Sequence, residues 1–298
     1  MKPIALALAC TLALSATFAS AAPITVTDDQ GQTLTLPAPA KRVISLAPHV
    51  TELIYAAGGG SRLIAADANS NYPAAAQALP RVGSFRGIDI ERVLAAKPDL
   101  LIVWLHGPAE KQLAQLRALG IPMYYSEPKH LADIPASLRK LGTLLGSSAV
   151  AEQSARRFDS ELAALRRQYA GKPKLRVFYQ VWHKPLYTLS GQHIVNDAIE
   201  LCGGQNIFAQ LPLPAPVVSE EAVIAANPQV MLAAGMKKQD DLQARWAGIN
   251  AIAAVQYKQQ YQIDSDILNR PTPRFLEGTR AVCRSLDTAR AVYAKVSP

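Results

Sequence analysis

Residues 89–103 read D-I-E-R-V-L-A-A-K-P-D-L-L-I-V, and residues 219–233 read S-E-E-A-V-I-A-A-N-P-Q-V-M-L-A. Aligned, Glu91 falls on Glu221, Ala95-Ala96 on Ala225-Ala226 and Pro98 on Pro228, at one constant offset. Each copy opens with acid, runs as a short helix, stops at proline and continues as an apolar strand. Solenoids repeat many times at periods of roughly 20–50 residues, so two copies this far apart mean two similar α/β lobes. Two lobes enclose a cleft, and a cleft takes a ligand.

Outward from the repeat, Leu175-Arg176-Val177-Phe178 echoes Lys41-Arg42-Val43-Ile44, so each lobe starts on a buried strand, the first over 43–46. In the first lobe the pattern predicts a helix from Pro48 and Thr51 through Ala57, ended by Gly58-Gly59-Gly60. Further strands are expected over 63–66, 100–104 and 123–125, and helices over 89–96 and 108–119. Strands apolar throughout, alternating with helices, argue for parallel sheets covered on both faces. From Ile134 to Tyr169 large apolar residues recur at helical spacing. A helix of roughly 23 residues from Ser148 would be about 35 Å long at 1.5 Å per residue, enough to cross both lobes. The fold class is therefore α/β, two Rossmann-like lobes with mainly parallel sheets, bridged by one long α-helix. The expected divisions are a signal peptide (1–21), a polar lead-in with an edge strand at Ile24–Thr27 (22–40), the N-terminal lobe (41–146), the bridging helix (147–172) and the C-terminal lobe (173–298). A rigid bridge resists hinge bending, so lobe closure should be small.

The 298-residue chain is 49% hydrophobic and 18% charged, an ordinary globular composition. Lys2, the apolar run Ile4–Leu14 and small residues at Ala19-Ser20-Ala21 follow the order of a cleaved secretory signal peptide. That run is too short to span a bilayer, and no later segment is long and apolar enough, so an exported protein without membrane insertion is expected. The formal charge is +8, yet the basic residues are scattered with no interleaved aromatics, which describes a solvated surface and not a nucleic-acid site. Past the leader only Cys202 and Cys283 remain. In an oxidising compartment an even pair reads as a disulfide, closing a loop of about 80 residues and contributing about 4–5 kcal/mol at most. Two buried free thiols are the alternative. Neither cysteine has the spacing of a zinc site.

No G-x-S-x-G, H-E-x-x-H, Walker or dinucleotide fingerprint occurs, so no enzyme and no resident cofactor is expected. Doubly wound sheets bind ligands beyond their strand C-termini. Those positions carry Pro48-His49, Asn69 to Tyr72, Ser84-Phe85-Arg86, Trp104-Leu105-His106, Val181-Trp182-His183 and Asp266 to Arg270. Trp104 and Trp182 each end an apolar strand and lie just ahead of a histidine, which fits a flat, partly apolar ligand. His49, His106 and His183 raise a metal or metal-chelate site, but no pair has i,i+4 spacing, so no protein metal site is expected. Arg270 is expected to point into the cleft, and Arg274 to brace the N-R-P-T-P-R loop (269–274). Glu91 and Glu221 complement a helix dipole, worth about 0.3–1 kcal/mol each. Their matched placement on both lobes also makes a bipartite docking surface for basic residues of a two-fold partner.

Taken together, R-V-I-S-L-A-P-H-V-T-E-L (42–53), D-I-E-R-V-L-A-A-K-P-D-L (89–100), C-G-G-Q-N-I-F (202–208) and R-P-T-P-R (270–274) resemble the helix-linked substrate-binding proteins of ABC importers, which take up cobalamin, haem and iron-siderophores. The match runs from about residue 41 to the C-terminus. The resemblance implies a monomeric periplasmic protein that holds cobalamin or a related corrinoid between its lobes and delivers it to a permease dimer. It also implies Glu91 and Glu221 bound to arginines of the two permease subunits, and a Cys202–Cys283 disulfide. By similarity to corrinoid-binding members, Trp104 lines the ligand, Asp266 and Arg270 contact it, and Phe85 keeps an aromatic face where they have tryptophan. Asn69 stands where those members have tyrosine, and Ala215 where they have tryptophan. Trp182, beside a one-residue insertion, substitutes approximately for a phenylalanine. Haem-binding members carry a tyrosine two residues before an arginine, where this chain has Ser84 before Arg86. Haem and iron-siderophores are the alternative ligands, and an exported metal-binding protein or enzyme using the cleft is the remaining one.

Overall fold

A computed structural model of the chain describes residues 23–84, 86–107, 109–235 and 242–296. The signal-peptide stretch and Phe85 lie outside the described residues. Strands β1 (Ile24–Thr27) and β2 (Thr33–Leu36) pair as an antiparallel hairpin ahead of the first lobe, so the lead-in holds two strands where one was expected. The first lobe runs β3 (Val43–Ser45), α1 (Pro48–Ala56), β4 (Leu63–Ala66), the small hairpin β5 (Gly83–Ser84) and β6 (Gly87–Ile88), α2 (Ile90–Ala95), β7 (Leu100–Trp104), α3 (Glu110–Ala118) and β8 (Met123–Ser126). The β3 strand stops one residue short of its expected end, and α3 starts at Glu110 where position 108 was expected. The lobe's parallel sheet has the order β4-β3-β7-β8.

After α4 (Asp133–Leu145) and α5 (Ser148–Tyr169), the second lobe runs β9 (Leu175–Gln180), the hairpin β10 (Trp182–His183) and β11 (Leu186–Tyr187), α6 (Ile194–Leu201), β12 (Gly204–Asn206), α7 (Glu220–Ala226) and β13 (Val230–Gly235). It closes with α8 (Leu242–Trp246), α9 (Ala253–Gln256), β14 (Gln260–Asp264), α10 (Ser265–Leu268) and α11 (Phe275–Val296). Its parallel sheet has the order β12-β9-β13-β14, strand for strand the arrangement of the first lobe.

The repeat has a physical basis in both copies. Asp89 caps α2 by accepting from the Arg92 amide at 3.0 Å, and Ser219 caps α7 by accepting from the Ala222 amide at 3.1 Å. Each helix ends in a residue with positive φ just before proline, Lys97 at 50° and Asn227 at 43°. The exposed carbonyls of that turn are then claimed by the arginine that opens the lobe. Arg42 donates to Lys97 O at 3.0 Å and Ala96 O at 2.6 Å, while Arg176 donates twice to Asn227 O at 3.1 and 3.0 Å. The main-chain amides of the same two arginines donate to Asp99 Oδ1 at 2.9 Å and Gln229 Oε1 at 3.0 Å.

The bridging helix α5 is 22 residues long. It buries Ala151, Ala155, Phe158, Leu162, Leu165 and Tyr169 on one face, and packs against α4 and α1 of the first lobe and α6 and α11 of the second. One apolar core therefore runs unbroken from Val43 and Leu53 through Phe158 and Leu162 to Val177 and Phe275. Separate clusters cover the far face of each sheet, around Leu101 in one lobe and Phe178 with Trp246 in the other. Cys202 and Cys283 are disulfide-bonded, tying the end of α6 to α11 and setting aside the free-thiol alternative.

Candidate functional site

The two sheets present their C-terminal edges to a common seam. Within it, α1 delivers Glu52 on its buried face, and the R-P-T-P-R loop of the second lobe meets it. Glu52 accepts from Arg270 Nη1 at 2.8 Å, Thr272 Oγ1 at 3.0 Å and Arg274 Nη1 at 3.3 Å. Arg270 reaches further, donating to Asn71 Oδ1 and to Asp266 Oδ1, both at 2.6 Å, while Asn71 Nδ2 donates to Asp266 Oδ2 at 2.8 Å. Arg274 lies 3.9 Å above the Tyr72 ring. Burial lifts the Glu52 carboxyl above the ordinary carboxylate range, opposed by the hydrogen bond and charge of Arg270, the charge of Arg274 and the Thr272 hydroxyl. Two carboxylates and two guanidiniums thus knit one lobe to the other.

Two expected ligand contacts, Asp266 and Arg270, belong to this network. Arg270 is buried at the floor of the seam, its guanidinium bonded to Glu52, Asn71 and Asp266. It spans the lobes there, from Glu52 of the first to Asp266 of the second. Asp266 is bonded to it. Nothing in the local sequence marks Glu52 or Asn71 as its partners. The available signal was a lone acid in the apolar helix P-H-V-T-E-L-I-Y-A, together with two arginines in a loop that needs counter-charge.

Above the floor, aromatic side chains face outward. The β7 strand is buried from Leu100 to Val103, yet Trp104, its last residue, is 40% exposed. Trp182 in the second lobe is equally exposed, and its indole donates to Lys184 O at 3.0 Å. Tyr187 pairs with Trp182 and bridges to Val217, so Val217 extends the β10–β11 hairpin, and both Val217 and Leu213 are exposed. Those two apolar residues lie in a proline-rich loop without periodicity, which hid them in the sequence. Asn69 and Arg86 are exposed on first-lobe loops, the Asn69 amide held by Asp67 Oδ1 at 2.7 Å and the Arg86 amide by Ser84 Oγ at 3.1 Å.

The three histidines part company. His106 is exposed and paired with Glu127. His183 lies 5.2 Å from the Trp182 ring, centroid to centroid. His49, one residue after Pro48 at the start of α1, is buried, 6.2 Å from Trp104 in an edge-to-face arrangement. Burial lowers its pKa to about 4, a main-chain hydrogen bond to Ser126 opposing and the Arg270 charge adding to the effect. Among the described residues no three His, Cys, Asp or Glu side chains are grouped to hold an ion.

Glu91 and Glu221 occupy matching places in the two lobes. Each is exposed in the first turn of its helix, α2 and α7. Beside Glu221, Glu220 is paired with Arg245. The Glu221 carboxyl is held below the ordinary range by its own main-chain amide and the Ser219 hydroxyl.

A family model described as periplasmic binding protein matches residues 43–267. The chain is 40% identical over 255 residues to a vitamin B12-binding protein of Yersinia pestis, covering 85% of this chain and 89% of that one. Among solved structures, the periplasmic vitamin B12-binding protein of Vibrio cholerae superposes with a TM-score of 0.77 at 40% identity, over 85% of this chain and 99% of that one. A periplasmic heme-binding protein from Pseudomonas aeruginosa shares the fold, with a TM-score of 0.73 at 23% identity over 87% of this chain and 95% of that one.

Proposed function

We propose, for a chain that belongs to the periplasmic binding protein family, that it captures cobalamin or a related corrinoid between its lobes and delivers it to the permease of an ABC importer. The observation that carries this reading is the pair of exposed indoles, Trp104 and Trp182, one at the edge of each lobe. A corrin macrocycle is a broad plate with apolar faces and a rim of amides. Indole faces cover the plate, and exposed polar groups such as Asn69 and Arg86 suit the rim. The similarity to vitamin B12-binding proteins supports the same ligand. Asp266 and Arg270 act at the floor, where they set the distance between the lobes. The protein performs no chemistry and releases its cargo unchanged. It is exported by a cleaved leader over residues 1–21 and works as a monomer.

In this reading Glu91 and Glu221 are the points of attachment to the permease. One exposed carboxylate on each lobe fits two arginine clusters related by a two-fold axis, through charge-assisted hydrogen bonds. The ligand site is tested by Trp104→Ala and Trp182→Ala. Each should weaken cyanocobalamin binding about 10- to 100-fold, read by equilibrium dialysis, with an unchanged circular dichroism spectrum. Full affinity in both variants would remove the indoles from the site.

A further inference from the structure

The loop that joins β8 to α4 is held in an unusual way. Residue 128 is proline, and every main-chain amide of 127–131 donates to a carboxylate. Glu127 N donates to Asp29 Oδ2 at 2.7 Å, Lys129 N and His130 N both to Asp133 Oδ2 at 2.9 Å, and Leu131 N to Asp197 Oδ2 at 3.0 Å. His130 Nδ1 lies a further 3.3 Å from each oxygen of Asp197. The three acids come from separate parts of the chain. Asp29 sits in the turn between β1 and β2, Asp133 in the first turn of α4, and Asp197 in α6 of the second lobe. Carboxylates make shorter and stronger hydrogen bonds to amides than neutral oxygens do. Asp29 and Asp197 are 15% and 24% exposed, so water competes weakly for these bonds.

The loop starts beside the first-lobe indole. Ser126 pairs in register with Trp104, Leu105 N donates to Ser126 O at 3.4 Å, and Gly107 N donates back to Trp104 O at 3.1 Å. Glu127 pairs through its side chain with His106, two residues past Trp104. β8 is the edge strand of its sheet, and an edge leaves main-chain groups to be covered. The turn of the lead-in hairpin covers them. Asp29 N donates to Tyr125 O at 3.0 Å, and Asp28 Oδ2 accepts from Tyr125 N at 3.4 Å. The hairpin precedes residue 43, where the family match begins, yet it reaches the strand end that carries the cleft wall.

We propose that Asp29 and Asp197 are positioning residues for the ligand cleft. Through the 127–131 loop they fix Trp104 and His106 relative to the second lobe, without contacting the ligand themselves. The inference rests on the reading of Trp104 as a ligand contact. A wall placed before the ligand arrives spares the cost of ordering it on binding. Asp29 anchors the loop to the hairpin, Asp197 anchors it across the seam, and Asp133 holds the span between them.

The full mature chain and its variants are titrated with cyanocobalamin by equilibrium dialysis, in a double-mutant cycle with Trp104→Ala. Asp29→Ala and Asp197→Ala should each weaken binding about three- to tenfold when Trp104 is present, and less than about twofold once it is alanine. Asp197→Asn keeps an oxygen for the Leu131 amide and should bind within about twofold of the wild type. Asp29→Asn is the milder substitute where Asp29→Ala does not fold, with the same dependence on Trp104 expected. A general folding defect would weaken binding equally in both backgrounds. Equal losses in both backgrounds, or no loss from either acid, overturn the inference and leave the corrinoid reading intact. A wild type that does not bind cyanocobalamin, or a Trp104→Ala variant of full affinity, overturns the reading of Trp104 and this inference with it.

Discussion

Glu52 occupies the fifth position of α1, facing a loop more than two hundred residues away in the chain. Its three donors come from Arg270, Thr272 and Arg274, and it is almost wholly shielded from water. A buried ion network of this kind adds little net stability while intact, because desolvation offsets attraction. Removing one member leaves an uncompensated charge. Glu52→Ala should therefore lower unfolding stability by about 3–5 kcal/mol in urea titration, and a loss under about 1 kcal/mol would show the network to be incidental. The residue scale is also where the sequence was least legible. Trp104 was readable, since an indole ending an apolar strand stands out. The role of Arg270 was not, because its partners Glu52 and Asn71 are set by how two lobes meet, which no local pattern encodes. His49 was legible only as a residue just past a strand end, while its burial and its unpartnered Nε2 come from packing.

At the scale of elements, the junction of α4 and α5 decides how the bridge leaves the first lobe. The φ of Gly146, 70°, ends α4 in the left-handed conformation that glycine adopts freely. Four residues earlier, Gly142 lets α5 approach closely: a Cβ there would stand 2.3 Å from the Ala151 Cβ and 3.2 Å from the Ser148 Cα. Neither neighbour is the free end of a flexible chain, so Gly142→Ala must push the two helices apart. A cost of about 1–3 kcal/mol is expected in thermal or urea unfolding, and an unaltered midpoint would contradict this packing. The long elements were readable because a parallel strand buried on both faces is an apolar run, and α5 shows helical spacing over its whole length. The short ones were not. β12 is Gly204-Gln205-Asn206, whose strand state comes from pairing with β9 and not from any apolar pattern. The β10–β11 hairpin has two residues per strand, too few to show alternation.

At the scale of the molecule, the repeat first read from Glu91 and Glu221 extends to sheet order, helix caps and the arginines that open each lobe. Two lobes joined by a continuous core and a 22-residue helix should form a stiff frame that holds the carboxylates of α2 and α7 at a fixed spacing. Docking by both should then be cooperative. A Glu91→Ala/Glu221→Ala double variant is expected to hold its ligand with wild-type affinity and to abolish uptake in a transport assay with the cognate importer; sustained uptake would remove both residues from the interface. The account as a whole turns on what the cleft holds, and isothermal calorimetry of the mature protein with cyanocobalamin, haemin run in parallel, measures that directly. It predicts one cobalamin per chain bound tightly, with haemin weaker. Tight haemin binding with no corrinoid heat would contradict it.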